Sequence, residues 1–471
     1  MAEIIDVPLG PHGDPARSPN VSAQSIVNGF VEPCTGGKAG WAIYSDPGYG
    51  LFASVATDGC RGGFTLGNNA YYVIGERLYK VTAGGASSTV GTIIGVRPIV
   101  AAQNQKPLTP QVVIVADTSV YVLEDGTLTE GIADLPSGVH SVIHMAGRFI
   151  YGLNDGRFYY SELNDTAINP LSFATAESNP DAGVRLWPYG DHFFYLGTGS
   201  IEAWYSQGEF EQPFERMQGG TFPRGCIAKM SVALCDNAVT FVADNGQVMQ
   251  FTGTTPKQIS VQAVEADIQD AIEGGNKEAM EAFVWSLGGH EFYQLSAPDW
   301  TWVWDASTRL WHRKQSYGLT GWRGRGYVRA FDKHLIGDVE NGNIYEMSFD
   351  HEDENGEHLV FSLRSQPVSK FPFNIRHDVF RVDMQGGVGK NSTDTHKSDP
   401  KVMMRFSDDG GHLWSSNREA PLGKIGDYGR RVRFNRLGRS RSHGRTYEVS
   451  CSAPVRRALI RAVVEGELLR G

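Results

Sequence analysis

The strongest constraint on the fold is a period. Seven stretches share one grammar, an apolar strand, a tight turn rich in Gly, Asn or Asp, and a second aromatic strand: 64–81, 112–126, 144–163, 191–208, 238–253, 290–307 and 333–350. Their turns fall near residues 75, 117, 155, 198, 245, 298 and 341, so successive units stand 38 to 53 residues apart. That is the spacing of a four-stranded propeller blade and is too short for a strand–helix–strand unit with its own loops. Asn154-Asp155-Gly156, Asp244-Asn245-Gly246 and Glu340-Asn341-Gly342 supply residues that tolerate positive φ at a tight reversal. A lone hairpin buries too little surface to be stable, so such units must stack radially until the ring closes and hides its edges. The chain therefore reads as all-β, with a β-propeller of about seven blades, six being the other count the spacing allows.

Composition agrees. Gly supplies 56 of 471 residues beside 18 Tyr, 23 Phe and 10 Trp, a mixture that suits aromatic strands separated by turns and disfavours a helical bundle. One interruption is helical. Val264, Ile268, Ala271 and Ile272 follow i, i+4, i+7, i+8 ahead of Gly274-Gly275, and Asn276 is placed to cap a second short helix carrying Met280, Phe283 and Val284. This predicts a small helical insertion between the fifth and sixth blades. Trp300, Trp302 and Trp304 alternate along one strand face with Trp311 nearby, a spacing that fits packing between blades better than ligand stacking.

After Asp350 the period is lost. HEDENGEH (351–358) reads as an acidic linker without the ligand order of a calcium loop, and GGVGKNSTDTHKSDPK (386–401) as a polar mobile loop. The alternating segments DVFRVDM, KVMMRF, RTYEVSCS and ALIRAVVE predict a C-terminal β-sandwich. The expected division is an extended N-terminal segment over 1–60, a propeller over 61–350 and a sandwich domain over 359–471.

Charge divides the chain further on, inside the expected sandwich domain. Arg418 to Gly471 holds 13 Lys/Arg against 5 Asp/Glu, whereas residues 1–417 hold 30 against 48. An acidic body is a poor wrapper of nucleic acid, which binds by neutralising phosphates, but it suits a wall past which DNA slides. The basic run over 430–445 places Arg430, Arg431, Arg433, Arg436, Arg439, Arg441 and Arg445 as candidate interface or DNA-facing residues. Alternation with Val432, Phe434 and Leu437 also reads as a strand with one basic face, and a protein interface or solvated face is the favoured of the two readings.

Chemistry is not expected. The chain shows no phosphate loop, GxSxG, HExxH or CxxC pair, so no catalytic, cofactor-binding or metal-ligating residues are assigned. Its five cysteines (Cys34, Cys60, Cys226, Cys235 and Cys451) are scattered and read as reduced thiols. His140 and His144 stand four apart among β-branched residues, a strand context that argues against a shared metal. Ser407, Asp409, Gly411 and Trp414 resemble the Asp box of sialidase-like propellers, a hairpin-tip motif in which the Asp bonds turn amides. It supports an alternative reading as a carbohydrate-binding or glycan-hydrolysing propeller; a protein-interaction propeller is the third. Neither a secretory leader nor a run of 18 apolar residues is present, so secretion and a membrane span are not expected.

Several stretches carry a family likeness: ARSPNVSAQSIVNGFVEP (16–33), YSDPGYG (44–50), the segment 158–183 leading into GSIEAWYSQG (199–208), HEFYQLSAP (290–298) and RRVRFNRLGRSRSHGRTYEVSCSAPV (430–455). Over nearly its whole length the chain resembles the tail hub, or packaged-DNA stabilisation, proteins of short-tailed podovirus-type phages. The resemblance implies a structural protein of the virion tail, assembled in the host cytoplasm as a homohexamer. Such a ring would extend the channel below the portal and adaptor and retain packaged double-stranded DNA without reading its sequence. It would also offer attachment to tailspikes or fibres and to a needle-like plug.

Overall fold

A computed structural model describes residues 3–117, 119–176, 181–209 and 212–469; residues 177–180 of the likeness segment 158–183 lie outside these. Seven four-stranded antiparallel blades follow one another, over 60–92, 100–130, 139–175, 183–222, 233–258, 281–313 and 324–348. The seventh has only three strands of its own. Its outer strand is Gly48–Ala56, which returns from the start of the chain to pair with Gly342–Ser348. No helix of the described residues is long and apolar enough to cross a membrane.

The sequence grammar marks the second and third strands of each blade. Gln111–Ala116 and Arg148–Leu153 are buried at every position, because both faces of a central blade strand meet a neighbouring blade. An apolar core lies at each of the seven blade-to-blade junctions among the described residues. Val73 and Leu78 meet Ile114 and Leu123 between blades one and two, and Phe158 meets Phe193 and Trp204 between three and four. The ring closes where Ala53, Leu335 and Ile344 of the seventh blade pack on Tyr72 and Ile74 of the first.

The insertion is one helix, Gln262–Glu273, whose Val264 and Ile268 pack on Trp300, Trp302 and Trp304. Asp267 accepts from Trp302 Nε1 at 2.8 Å and pairs with Arg313 at 2.7 Å, fixing the helix to the sixth blade. The expected second helix is instead a single 3-10 turn, Lys277–Ala279. Phe283 and Val284 begin the sixth blade on Glu281–Leu287, where β-branched and aromatic residues suit the pleat.

The remaining strands form a two-sheet sandwich. One sheet runs Gly29–Pro33, Trp41–Ser45, Ala458–Leu469, Asn374–Met384, Val432–Ser440, with Glu3–Val7 also on Ala458–Leu469. The other runs Ser25–Val27, Phe361–Arg364, Thr446–Cys451, Lys401–Ser407, Arg418–Pro421. Its first strand also pairs with Leu310–Arg313, so one nine-stranded sheet continues from the sixth blade into the sandwich. Residues 3–56 are thus not a leading extended segment: they supply four strands of the sandwich and one of the propeller. HEDENGEH is likewise docked, since Tyr49 N donates to Asp353 O at 3.0 Å and Trp322 Nε1 to the buried Glu354 at 2.8 Å. The 386–401 stretch carries a one-turn helix, Thr395–Ser398, capped by Asp394, and its Lys390 pairs with Glu352.

Two buried histidines make stability depend on acid. Burial, aided by Arg445, pushes His377 of the sandwich from 6.5 down to about 3. Burial, with Lys229 and Arg185 nearby, does the same to His140 of the third blade. Both stay neutral in the folded chain while the unfolded chain takes up protons below pH 6.5, so stability falls as pH drops below that value, by roughly 1.4 kcal/mol per pH unit for each. His377→Gln is expected to flatten part of the acid dependence of unfolding, the share of His140 remaining, read as melting temperature between about pH 7 and about pH 5.

Candidate functional site

The basic run forms the edge of the first sandwich sheet. Val432, Phe434, Leu437 and Ser440 of Val432–Ser440 point into the core, and Arg433, Arg436 and Arg439 face solvent. Arg430, Arg431 and Arg441 flank the strand and are exposed. Among the described residues only Asn374–Met384 pairs with this strand, so its far side is an open edge there, and a row of arginines discourages edge-to-edge pairing. Arg418 covers part of that edge by donating to Asn435 O at 2.9 Å.

Arg445 is a correction to the sequence reading: it is 1% exposed and cannot face DNA or a partner. Its guanidinium grips Asp408 through two bonds, at 2.6 and 2.8 Å, donates to Leu437 O at 2.7 Å and lies 3.8 Å over the Phe406 ring. A planar fork with several donors is the side chain that fits such a set. Arg445→Ala is expected to cost the sandwich about 2 kcal/mol, the half-exposed Asp408 limiting the loss, whereas Arg436→Ala changes stability by less than about 0.5 kcal/mol. Denaturant titration of both variants measures the difference.

Across the same sheet the outward side chains form a charged lattice. Arg381 pairs with Glu465 at 2.8 Å, Arg376 with Glu467 at 2.9 Å, and Lys38 and Arg461 share Asp383 at 3.7 Å each. Arg431, Arg436, Arg439 and Arg441 hold no side-chain hydrogen bond or ion pair among the described residues. The edge therefore carries the available positive charge. Lys38, Arg381 and Arg461 join it from distant parts of the chain, and no local motif announces them.

The Asp box is a structural hairpin tip between two sandwich strands. Asp409 accepts from Ser407 Oγ at 2.7 Å and Leu413 N at 2.9 Å, and Ser407 Oγ accepts from Gly411 N at 2.8 Å. Trp414 lies under Arg364 and Arg405, 4.9 and 4.8 Å from its ring. Every group of the motif is thus engaged in holding the turn. Among the described residues no cluster of three or more His, Cys, Asp and Glu could hold a metal; His140 is buried in the core, and His144 is half-buried against the Phe149 ring.

A further buried network sits where propeller meets sandwich. Asp46, 2% exposed, lies 3.3 Å from His312 Nε2. Lys314, 1% exposed, stands 4.2 Å from the Trp322 ring and 5.0 Å from Trp285. Asn28, at φ 57°, donates to Gln315 O at 2.9 Å and Val360 O at 3.0 Å. These groups fasten the two folds together without forming an open site.

Family models match both parts of this architecture. The β-propeller of bacteriophage P22 Gp10 matches residues 20–352, and the β-sandwich of the same protein matches residues 371–467. The chain belongs to the bacteriophage P22 Gp10 family. It is accordingly a structural protein of the phage tail with a DNA-stabilising role, located in the virion and working with other tail proteins. Gp10 is a family of tail structural components, in keeping with the structural use of the titratable groups above. No individual curated protein matches the chain. Similar solved structures include the computationally designed Ika8 protein, at 10% identity over 64% of this chain and 100% of that one, TM-score 0.41. A streptogramin B lyase matches at 9% identity over 64% and 98%, TM-score 0.45. BamB from Moraxella catarrhalis matches at 12% identity over 68% and 94%, TM-score 0.38.

Proposed function

We propose that this Gp10-family protein is the tail hub: a homohexameric ring that extends the channel below the portal and adaptor and retains packaged double-stranded DNA. In this reading it also anchors tailspikes or fibres and a needle-like plug, and joins the particle in the host cytoplasm. The observation that carries the reading is the continuous nine-stranded sheet from the sixth blade into the sandwich. Hydrogen-bonded strands across a domain junction transmit load where a linker would flex, as a pressurised channel requires. The excess of acidic residues before Arg418 supports passage of DNA without capture. The exposed arginines of the sandwich edge, Arg430, Arg431, Arg433, Arg436, Arg439 and Arg441, serve as contacts for neighbouring tail proteins.

Reconstitution tests this. Purified protein added to DNA-filled particles that carry portal and adaptor but lack this chain is expected to bind as a six-copy ring and to protect the genome from nuclease. Binding as single copies, or particles that still leak DNA with the ring in place, would overturn the hub assignment.

A further inference from the structure

Two clefts on the outer face of the first sandwich sheet join into one groove. The larger, of 690 Å³, lies among Trp41, Tyr44, Tyr428, Arg430 and Ile460. The smaller, of 510 Å³, lies among Ile4, Asp6, Arg381, Arg461 and Val463. Lys38, Asp383 and Arg431 line both. The groove is contributed by strands that alternate inward and outward: Ile5 and Val7 enter the core while Ile4 and Asp6 face the groove, and Val382 and Ala462 are buried while Arg381 and Arg461 face it.

Two properties mark this groove as a binding surface. It holds large apolar side chains in water: Ile4 is 71% exposed and Tyr428 78%, with Ile425 of the same loop at 66%. Exposed apolar area inside a concave, polar-rimmed surface is a feature of interaction sites. Its lining carries Lys38, Arg381, Arg430, Arg431 and Arg461; Glu465 answers Arg381 and Asp427 answers Arg430, so the uncompensated positive charge is that of Arg431, continued along the adjoining edge by Arg436, Arg439 and Arg441. Asp383 is already shared by Lys38 and Arg461, and Arg431 has no partner among the described residues.

We propose that this groove receives an acidic segment of another tail protein, its carboxylates meeting Lys38 and Arg431, which line both clefts, with one aliphatic or aromatic side chain settling against Tyr428 in the larger cleft and another against Ile4 in the smaller. Charge complementarity selects the acidic partner, and the apolar concavity selects a polypeptide over duplex DNA, whose backbone offers phosphates and no side chain to fill a cleft. The proposal rests on the chain being a tail component and adds the chemistry of one partner contact.

Photo-crosslinking in the virion tests it. Particles are assembled with p-benzoylphenylalanine replacing Tyr428, and in a second preparation replacing Ile4, then irradiated and digested for mass spectrometry. The expected product at both positions is an Asp/Glu-rich peptide of a different tail chain, its yield falling about tenfold when Lys38→Glu and Arg431→Glu are combined. Crosslinks to DNA, to a second copy of this chain or to a segment without acidic residues overturn the proposal. So does an absence of crosslinks in particles that contain the chain. Particles that exclude the unsubstituted chain would overturn the tail assignment as well, and the two failures are told apart by blotting for the chain.

Discussion

Asp46→Ala is expected to destabilise the molecule by about 3 to 5 kcal/mol, and Lys314→Met added to it to restore most of the loss. Lys314 is buried between Trp285 and Trp322, and among the described residues its Nζ holds one side-chain hydrogen bond, to the Met347 sulfur at 3.9 Å. Burial disfavours its charge and lowers its pKa, with Asp46 and Glu354 opposing that shift. Removing Asp46 strands the ammonium in a low-dielectric site, which is costlier than never having placed a charge there. Methionine keeps the length and removes the charge, so the double variant separates loss of the electrostatic interaction from loss of packing. Burial also works against the Asp46 carboxylate, but His312, Lys314 and Arg457 outweigh it and hold its pKa below the ordinary 3.8. A depressed carboxyl contributes stability that is complete above the unfolded value and disappears as pH falls through the lower folded one. A double-mutant cycle in denaturant reads the coupling, with a value near zero contradicting the network.

Gly342→Val is expected to cost about 3 kcal/mol and to release the outer strand of the seventh blade. Gly342 pairs with Ala56 across the closing strand, and a Cβ at Gly342 would overlap the Ala56 backbone. Backbone cannot move aside as a long side chain can. Hydrogen exchange should accelerate over Gly48–Ala56 while the sandwich strand Thr446–Cys451 stays protected. Gly84→Ala is the control: it has open space around it and no positive φ, so a change of under about 0.5 kcal/mol is expected.

The blade period was legible because the second and third strands of a blade are buried on both faces and need aromatic and β-branched residues without relief. Outer strands have no such signature; Ser87–Thr92 of the first blade is SSTVGT, mostly exposed. The path of the N-terminus was illegible for a different reason. WAIYS and GYGLFASVA are plain strand sequences, but nothing local states that one joins Ala458–Leu469 and the other Gly342–Ser348, hundreds of residues away. Glu354 looked like one more acid in a polar linker, because a buried carboxylate is recognisable only beside the Trp322 indole that holds it. Arg445 was indistinguishable in sequence from its exposed neighbours. Only the Asp408 fork and the carbonyls around it set it apart. The groove shows the same limit, since Lys38, Arg381 and Arg461 converge through sheet pairing alone.

A cryo-electron microscopy map of the intact virion tail at side-chain resolution tests the hub architecture most directly. This chain is expected in a ring around the DNA channel, each copy a seven-bladed propeller closed by Gly48–Ala56 and joined through Ser25–Val27 to its sandwich. A tail in which the chain lies away from the channel, or in which propeller and sandwich are hinged apart with residues 25–56 unpaired, would contradict it.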